Sequence, residues 1–153
     1  MSEKDATFLL QMVTPEQIIY QQWVKKLTVP TVEGEITVLA QHTPLVAAIT
    51  PGEVQIVEFQ KGSGSEKKRT MAVSEGVVEI KNNTVSLLVQ QAERVEELDR
   101  QKIETAKKLA EQMIEKAHRA GADKKEFAVL ETGLQREIAR LRVYEKYRKR
   151  RSL

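Results

Sequence analysis

The residues that interrupt regular structure are concentrated in the first part of the chain. All four prolines lie at or before Pro51, and six of the seven glycines lie before residue 77 or at Gly121. The residues that follow position 92 are rich in Ala, Glu, Lys, Arg and Leu, which are good helix formers. The charge changes at the same place, since residues 1–92 hold 8 Lys+Arg against 10 Asp+Glu and residues 93–153 hold 17 against 12. The sequence therefore predicts two parts, 1–92 and 93–153.

The first part has the pattern of a sheet of short strands. Short apolar runs separated by turn residues predict strands at 8–13, 18–20, 24–29, 34–39, 44–49, 54–59 and 85–89. The apolar face changes after Ile56, which predicts a bulge there, and Asn82-Asn83 predicts a tight hairpin turn. Turns at this spacing indicate a β-sandwich or barrel.

The second part has the pattern of two helices. Apolar residues at helical spacing predict a first helix over 94–119 and a second through 127–144. Gly121 suits the end of a helix, and Asp123 with Glu126 resembles a capping box. A short connection makes the two helices antiparallel. The predicted fold class is α+β, an N-terminal antiparallel β-sandwich followed by an antiparallel two-helix hairpin.

The apolar seam of this hairpin is thin. Much of the seam on the first helix is alanine, and Lys102 interrupts it. Packing of the two helices would therefore bury little apolar area, and each Å² of buried apolar surface contributes only about 25 cal/mol. Two interpretations stay open: a hairpin docked on the sandwich, and a hairpin that leaves it when a better partner is present.

The sequence offers little for catalysis. Cysteine is absent, His42 and His118 have no ligand spacing or nucleophile motif around them, and the Gly-Ser segment near Gly62 lacks the features of a phosphate loop. The carboxylates of Glu96, Glu97 and Asp99 fit a solvated helix. The sequence also lacks a long apolar run and a secretory signal at its start. These features predict a soluble, intracellular, metal-free protein that is not an enzyme.

The end of the chain is strongly basic. Residues 136–151 hold eight Lys+Arg and only two acids, Glu137 and Glu145. A solvated helix face, a contact with an acidic protein surface and a contact with nucleic acid are all compatible with this charge. Only Tyr144 and Tyr147 supply aromatic rings among the basic residues, which is sparse for nucleic acid.

One segment carries a family resemblance. Residues 32–45, VEGEITVLAQHTPL, continue to PGEV at 51–54, and residues 140–145 are RLRVYE. These residues resemble the signatures of the epsilon subunit of F-type ATP synthase, and the resemblance extends over the whole chain. Ala40-Gln41 stands where the family usually has Pro-Gly. Some bacterial members bind ATP through [IL]-D-x-x-R-A, and the matching residues here have Lys102 for Arg and Ile103 for Ala.

The resemblance implies a non-catalytic subunit of the rotary central stalk, which couples proton-driven rotation to ATP synthesis. The mobile hairpin would inhibit ATP hydrolysis. The implied partners are the gamma subunit, the c-subunit rotor ring and the alpha and beta catalytic subunits, at the cytoplasmic face of the bacterial plasma membrane, without membrane insertion. The alternative is a free-standing module that holds nucleic acid with its basic hairpin.

The resemblance also implies site residues. Glu35 and His42 match positions at the interface with rotor and gamma, although an exposed strand residue and a loop-capping histidine would look the same. Possible ATP-binding residues are Leu98, Asp99 and Lys102, which lie at positions of the motif, and Arg136 and Arg140, which lie four apart on the other helix. Ordinary charged helix faces explain the same charged residues and are the simpler interpretation. The end of the chain is more basic than the family pattern, and its charge predicts an inhibitory basic tail of Arg148, Lys149, Arg150 and Arg151. No cofactor or metal is expected, apart from weak regulatory ATP.

Overall fold

The computed structural model describes residues 6–62 and 64–151. In that part of the chain, nine strands precede two helices, and the chain divides into two compact units, Met1–Arg94 and Val95–Leu153. The strands are β1 (Phe8–Val13), β2 (Ile18–Thr31), β3 (Gly34–Val38), β4 (Leu45–Ile49), β5 (Gly52–Glu58), β6 (Lys67–Val73), β7 (Gly76–Lys81), β8 (Thr84–Val89) and β9 (Ala92–Arg94). The predicted α+β class, a sandwich-like sheet before two helices, is confirmed.

The strands close around an aliphatic core. The order β1-β8-β7-β4-β2-β5-β6-β9 is completed by pairing of β1 with β2, and β3 pairs with β2. Among the described strands, β1 and β8 form the parallel pair and the other pairings are antiparallel. Alternate residues of most strands point inward, and the fully buried ones include Leu10, Met12, Leu27, Ile56 and Leu87. Each buried side chain of this size contributes about 1.5–3 kcal/mol.

Strand β2 differs from the prediction, because it is one strand of 14 residues and not two. Its first half pairs with β1, its second half pairs with β3 and β5, and Thr31 lies opposite Ile49 of β4. The polar pair Gln21-Gln22 separates two apolar runs, so the sequence pattern predicts two strands. In the structure both residues lie within β2, with exposed side chains. Pro30 was predicted to end the strand, yet it pairs with Glu35 inside it. Proline is tolerated at this position because it lies one residue before the end of β2.

The predicted bulge near Ile56 is wrong. Strand β5 alternates without a change of phase, since Val54, Ile56 and Glu58 are all buried. Its register with β6 is continuous from Gly52 to Glu58. The irregularity lies instead on β2, where Lys25 is the extra residue between the pairs Val24–Glu58 and Lys26–Val57. The sequence pattern failed because it placed Glu58 outside the core.

One tight turn and one glycine determine the geometry of the β7–β8 hairpin. Asn82 and Asn83 have φ values of 51° and 56°, as a two-residue hairpin turn requires, so this predicted turn is confirmed. At the other end of the hairpin, a Cβ on Gly76 would lie 2.0 Å from the carbonyl oxygen of Leu88. Glycine is therefore required where these two strands approach most closely.

The second unit contains a short 3₁₀ helix, Val95–Glu97, and helices α1 (Arg100–Arg119) and α2 (Lys124–Arg151). The predicted helix start at 94 is wrong, because Asp99 caps α1 by accepting hydrogen bonds from the backbone N–H groups of Gln101 (3.0 Å) and Lys102 (3.3 Å). Gly121 has φ 68° after α1, and Asp123 accepts from the N–H of Glu126 at 2.9 Å, which confirms both predicted helix ends.

Candidate functional site

An exposed row of apolar side chains crosses the outer face of the sheet. Each residue is the direct cross-strand partner of the next: Ile18 on β2, Val13 on β1, Leu88 on β8, Val77 on β7 and Ala48 on β4. Direct partners point to the same face of a sheet. Ile18, Leu88 and Val77 are 57%, 47% and 39% exposed. We call these five residues the apolar row.

Val46 widens this row on β4. It is 68% exposed and lies two positions from Ala48, so both point to the same face. A contiguous apolar patch of this kind, spread over five neighbouring strands, is typical of a protein interface. The sequence contained a signal for it, since apolar doublets such as Val77-Val78 and Leu87-Leu88 must place one member on each face of a strand. The apolar row was not predicted.

A polar cluster lies inside the first unit, and sequence reasoning missed it. The Tyr20 hydroxyl donates to Glu58 Oε1 at 2.8 Å, and the Arg69 guanidinium Nε donates to the same oxygen. Glu58 is 9% exposed, which requires such partners for its charge. Burial raises the pKa of Tyr20 well above its usual range, and the hydrogen bond to Glu58 and its negative charge add to the effect. The cluster joins β2, β5 and β6.

The two predicted interface residues of the sandwich lie at its surface. Glu35 is exposed on β3 beside the turn at Gly34, opposite Pro30. His42 is half-buried in the loop after β3, with Nδ1 2.7 Å from the carbonyl oxygen of Thr43. Gln41 takes a positive φ of 60° in that loop, and its N–H donates to Asn83 Oδ1 at 2.8 Å. The loop without Pro-Gly is thus attached to the β7–β8 turn.

The predicted ATP residues do not line one groove. Asp99 and Lys102 line an open groove of about 520 Å³ together with Gln101, Thr105, Ala106 and Leu109, and the groove extends from the cap along the first half of α1. Asp99 uses its carboxylate as the helix cap, and Leu98 is buried. Arg136 and Arg140 lie on α2, where Arg140 forms an ion pair with Glu137 at 2.7 Å. Neither arginine is part of the groove lining.

The predicted basic tail forms the last turn of α2. Arg148 and Arg151 line an open cleft of about 470 Å³ with Val95, Glu96, Leu98, Tyr144 and Tyr147. The Arg151 guanidinium lies 5.8 Å from the centre of the Tyr147 ring, a cation–π geometry. Lys149 and Arg150 complete the turn. At the other end of the hairpin, His118 and Phe127 meet edge to face at 5.4 Å.

Residues 6–62 and 64–151 contain neither a metal-binding cluster nor a membrane-spanning helix. No group of three or more His, Asp or Glu side chains there could hold a metal ion. No helix in those residues combines the length and apolar character needed to cross a bilayer.

Comparison with known proteins identifies relatives over nearly the whole chain. Residues 7–95 match the family described as ATP synthase, Delta/Epsilon chain, beta-sandwich domain. The ATP synthase epsilon chain of Syntrophomonas wolfei is 34% identical over 142 residues, 93% of this chain and 97% of that protein. The ATP synthase epsilon chain of Shouchella clausii is 34% identical over 138 residues, 90% of this chain and 95% of that protein.

A solved structure shares the fold. A chain in the cryo-EM structure of the Euglena gracilis mitochondrial ATP synthase, OSCP/F1/c-ring in rotational state 1, matches with a TM-score of 0.68 at 24% identity. The match covers 90% of this chain and 81% of that chain. With the sandwich domain matched and both relatives aligned along nearly their full length, this chain belongs to the epsilon chain family of ATP synthase.

Proposed function

We propose that this chain is a non-catalytic subunit of the ATP synthase central stalk, which binds the gamma subunit through the apolar row. The observation that supports this most directly is the alignment of five apolar residues across β2, β1, β8, β7 and β4 on a solvent face. Covering such a row with a partner removes apolar surface from water, which is favourable.

In this proposal the rotor ring meets a separate part of the sandwich. Glu35 and His42 lie on β3 and in the loop that follows it, and both are accessible to a partner. The subunit would then couple proton-driven rotation to ATP synthesis by joining rotor and gamma. It would lie at the cytoplasmic face of the bacterial plasma membrane, as a peripheral subunit.

The hairpin is proposed to restrain ATP hydrolysis. In the described part of each helix only one side chain is buried, Ile103 in α1 and Val143 in α2. Because so little apolar area fixes the hairpin, a rotor shaft that offers an apolar surface could hold it in another position. The basic residues Arg148, Lys149, Arg150 and Arg151 would then meet acidic groups of the alpha and beta subunits.

Weak regulatory ATP is proposed to bind the hairpin near Lys102. The ammonium group of Lys102 is exposed beside the N-terminus of α1, where the helix dipole also favours an anion. The ammonium group of lysine is a point charge, whereas the planar guanidinium of arginine can donate two parallel hydrogen bonds to a phosphate. Lysine at this position therefore favours weak binding. Arg136 and Arg140 would contribute only if the hairpin rearranges, since they lie outside the present groove.

The experiment that tests the proposed docking replaces Leu88 with glutamate. A buried, unpaired charge at the centre of the interface is expected to raise the Kd for ATP synthase depleted of this chain by about 30-fold, as for a hot-spot residue. The measurement is titration of the depleted complex with the full chain.

The matched control is Thr84→Glu, at the other end of the same strand and on the same face, beside Lys81. This variant should bind like the unmodified chain. Equal affinity of the Leu88→Glu and Thr84→Glu variants, with both folded by thermal unfolding, would contradict the role of the apolar row.

A further inference from the structure

The basic residues of the first unit are gathered in one region. Residues 1–92 hold 8 Lys+Arg and carry a net charge of −2. Six of those eight lie on the middle of β2 and on the β5–β6 hairpin, namely Lys25, Lys26, Lys61, Lys67, Lys68 and Arg69. The acids of the same region are Glu53, Glu58 and Glu66. A unit with an overall acidic balance therefore has one basic region.

Strand register brings two of these lysines together. Lys26 pairs with Val57 of β5, which pairs with Lys68 of β6, so the three side chains share one face. Neighbouring strands lie about 4.8 Å apart, so Lys26 and Lys68 are about 10 Å apart across the sheet. Lys67 pairs with the inward-pointing Glu58, so it lies on the opposite face from Lys26 and Lys68. Lys61 follows β5 at the start of the connecting loop.

The lysines of this region form no ion pair with any residue that the structure describes. Arg69 is matched by the buried Glu58. Four of the five lysines are exposed, while Lys25 is half-buried. The irregular register between Val24 and Lys26 adds Lys25 as an extra cation on β2.

An exposed tryptophan lies beside these charges. Trp23 is 50% exposed, and it points away from the core because its neighbour Val24 is fully buried. Its carbonyl oxygen accepts a hydrogen bond from the N–H of Phe59 at 3.3 Å, which places it next to the last residues of β5. With one residue added at the bulge, Trp23 and Lys26 point to the same side of β2.

We propose that Trp23 with Lys25, Lys26, Lys61 and Lys68 forms a docking surface for an acidic segment of a neighbouring protein subunit. Tryptophan is among the residues that contribute most of the binding energy at protein interfaces, so Trp23 is a suitable anchor for a partner. Charges around such an anchor mainly raise the association rate, which is the role of the surrounding lysines. One exposed indole is too little for stacking successive bases or for anchoring to a bilayer. This inference rests on the proposed role as a subunit of the assembly, and its surface differs from the apolar row.

The test measures association of the full chain with ATP synthase depleted of it, using Lys68→Glu. At about 50 mM salt the association rate should fall about fivefold, and at about 0.5 M salt the difference should shrink below about twofold, because salt screens the attraction. Lys81→Glu, an exposed lysine at the end of β7, is the matched control and should stay within about twofold at both salt concentrations. Trp23→Ala should raise the Kd about 30-fold.

The outcomes separate the two proposals. If the unmodified chain does not bind the depleted complex, the proposed function is wrong. If it binds and neither Lys68→Glu nor Trp23→Ala differs from Lys81→Glu, the docking surface is wrong. Vesicles of anionic phospholipid and a single-stranded oligonucleotide are probed in parallel, and a loss of binding on Lys68→Glu that is confined to either probe would also overturn the acidic protein partner.

Discussion

At the scale of single residues, the partly buried cluster of Tyr20, Glu58 and Arg69 is the least expected feature. A carboxylate in a sandwich core is costly unless it is fully hydrogen-bonded. Here one oxygen of Glu58 accepts from both the tyrosine hydroxyl and the arginine guanidinium. Sequence alone could not show this arrangement, since the three residues are separated by 38 and 11 positions and a glutamate at the end of a strand is usually read as solvated.

Replacing Tyr20 with phenylalanine tests the cluster. The free energy of unfolding should fall by about 1–2 kcal/mol, because Glu58 loses one donor while remaining buried. The pKa of Tyr20 is raised in the folded protein, so the unfolded chain ionises first, and the stability gained from Tyr20 is present below about pH 10 and decreases as pH rises above it. Denaturant unfolding of both proteins across this range measures the difference.

The sign of that pH dependence is the decisive outcome. The stability difference between the unmodified chain and Tyr20→Phe should be constant at neutral pH and should shrink above about pH 10. Titration of lysines contributes equally to both proteins and cancels in the difference. A difference that stays constant to about pH 11 would mean that the hydroxyl is not held as a buried donor.

At the scale of elements, residues with a strong local conformational preference predicted the boundaries of elements better than apolar periodicity did. Gly121, Asp123 and Asn82-Asn83 act where short-range chemistry predicted them, because each determines its own backbone conformation. The first helix begins later than its apolar periodicity suggested, since Val95 and Leu98 are buried without belonging to α1. Long-range pairing was not predictable from sequence either: β9 pairs with β6, and its residues carry no strand pattern.

The same limit applies to the candidate site. The motif-like residues Leu98, Asp99 and Lys102 were found from their order in sequence, but only the structure assigns Asp99 to capping α1. The apolar row was not predicted, because it depends on which residues of β1, β8, β7 and β4 lie opposite one another. Register is set by the packed face and the turns together, and a single strand pattern does not contain it.

The capping role of Asp99 determines how the ATP proposal must be tested. Asp99→Ala would remove the cap and cost about 1 kcal/mol of helix stability, which confuses folding with binding. Lys102→Met removes only a charge. Calorimetry with millimolar ATP should detect weak binding to the full chain, and Lys102→Met should weaken it about fivefold, the loss of one charge contact of about 1 kcal/mol.

Lys108→Met is the matched control, since Lys108 is exposed on α1 and lies outside the groove. It should leave the heat of ATP binding unchanged. No heat from the unmodified chain at millimolar ATP, or equal losses for Lys102→Met and Lys108→Met, would rule out a nucleotide site at the start of α1.

At the scale of the whole molecule, the two units have different kinds of stabilisation. The first unit has a closed aliphatic core, while each helix of the second has one buried side chain in its described part and several exposed ion pairs, such as Arg100–Glu104 and Arg119–Glu115. Exposed pairs of this type contribute little. This contrast suits a fixed platform that carries a hairpin able to change partners, which is the arrangement the proposed regulation needs.

The proposed restraint on hydrolysis predicts the effect of the basic tail. Reversing Arg148, Lys149, Arg150 and Arg151 to glutamate should raise ATP hydrolysis by the reconstituted complex about fivefold if about 1 kcal/mol of contact is lost, while synthesis changes little. Removing residues 94–153 should raise hydrolysis at least as much. Added salt should reproduce part of the effect in the unmodified complex and almost none in the reversed one.

Reversing Lys124 and Lys125, at the opposite end of α2, is the control for charge alone and should leave hydrolysis near its original rate. If the tail-reversed complex hydrolyses ATP no faster than the original, the tail is a solvated helix end. If deletion of residues 94–153 also has no effect, the hairpin does not restrain the enzyme.

The length of β2 has a consequence for how the chain acquires its structure during synthesis. Its second half can pair with β3 as soon as the turn at Gly34 has emerged, but its first half is held by β1, whose parallel partner β8 lies more than 70 residues later. Contacts of such sequence separation form slowly. The sandwich therefore cannot close on the ribosome until Val89 has left the exit tunnel, and until then the apolar inner faces of β1 and β2 remain open to chaperones.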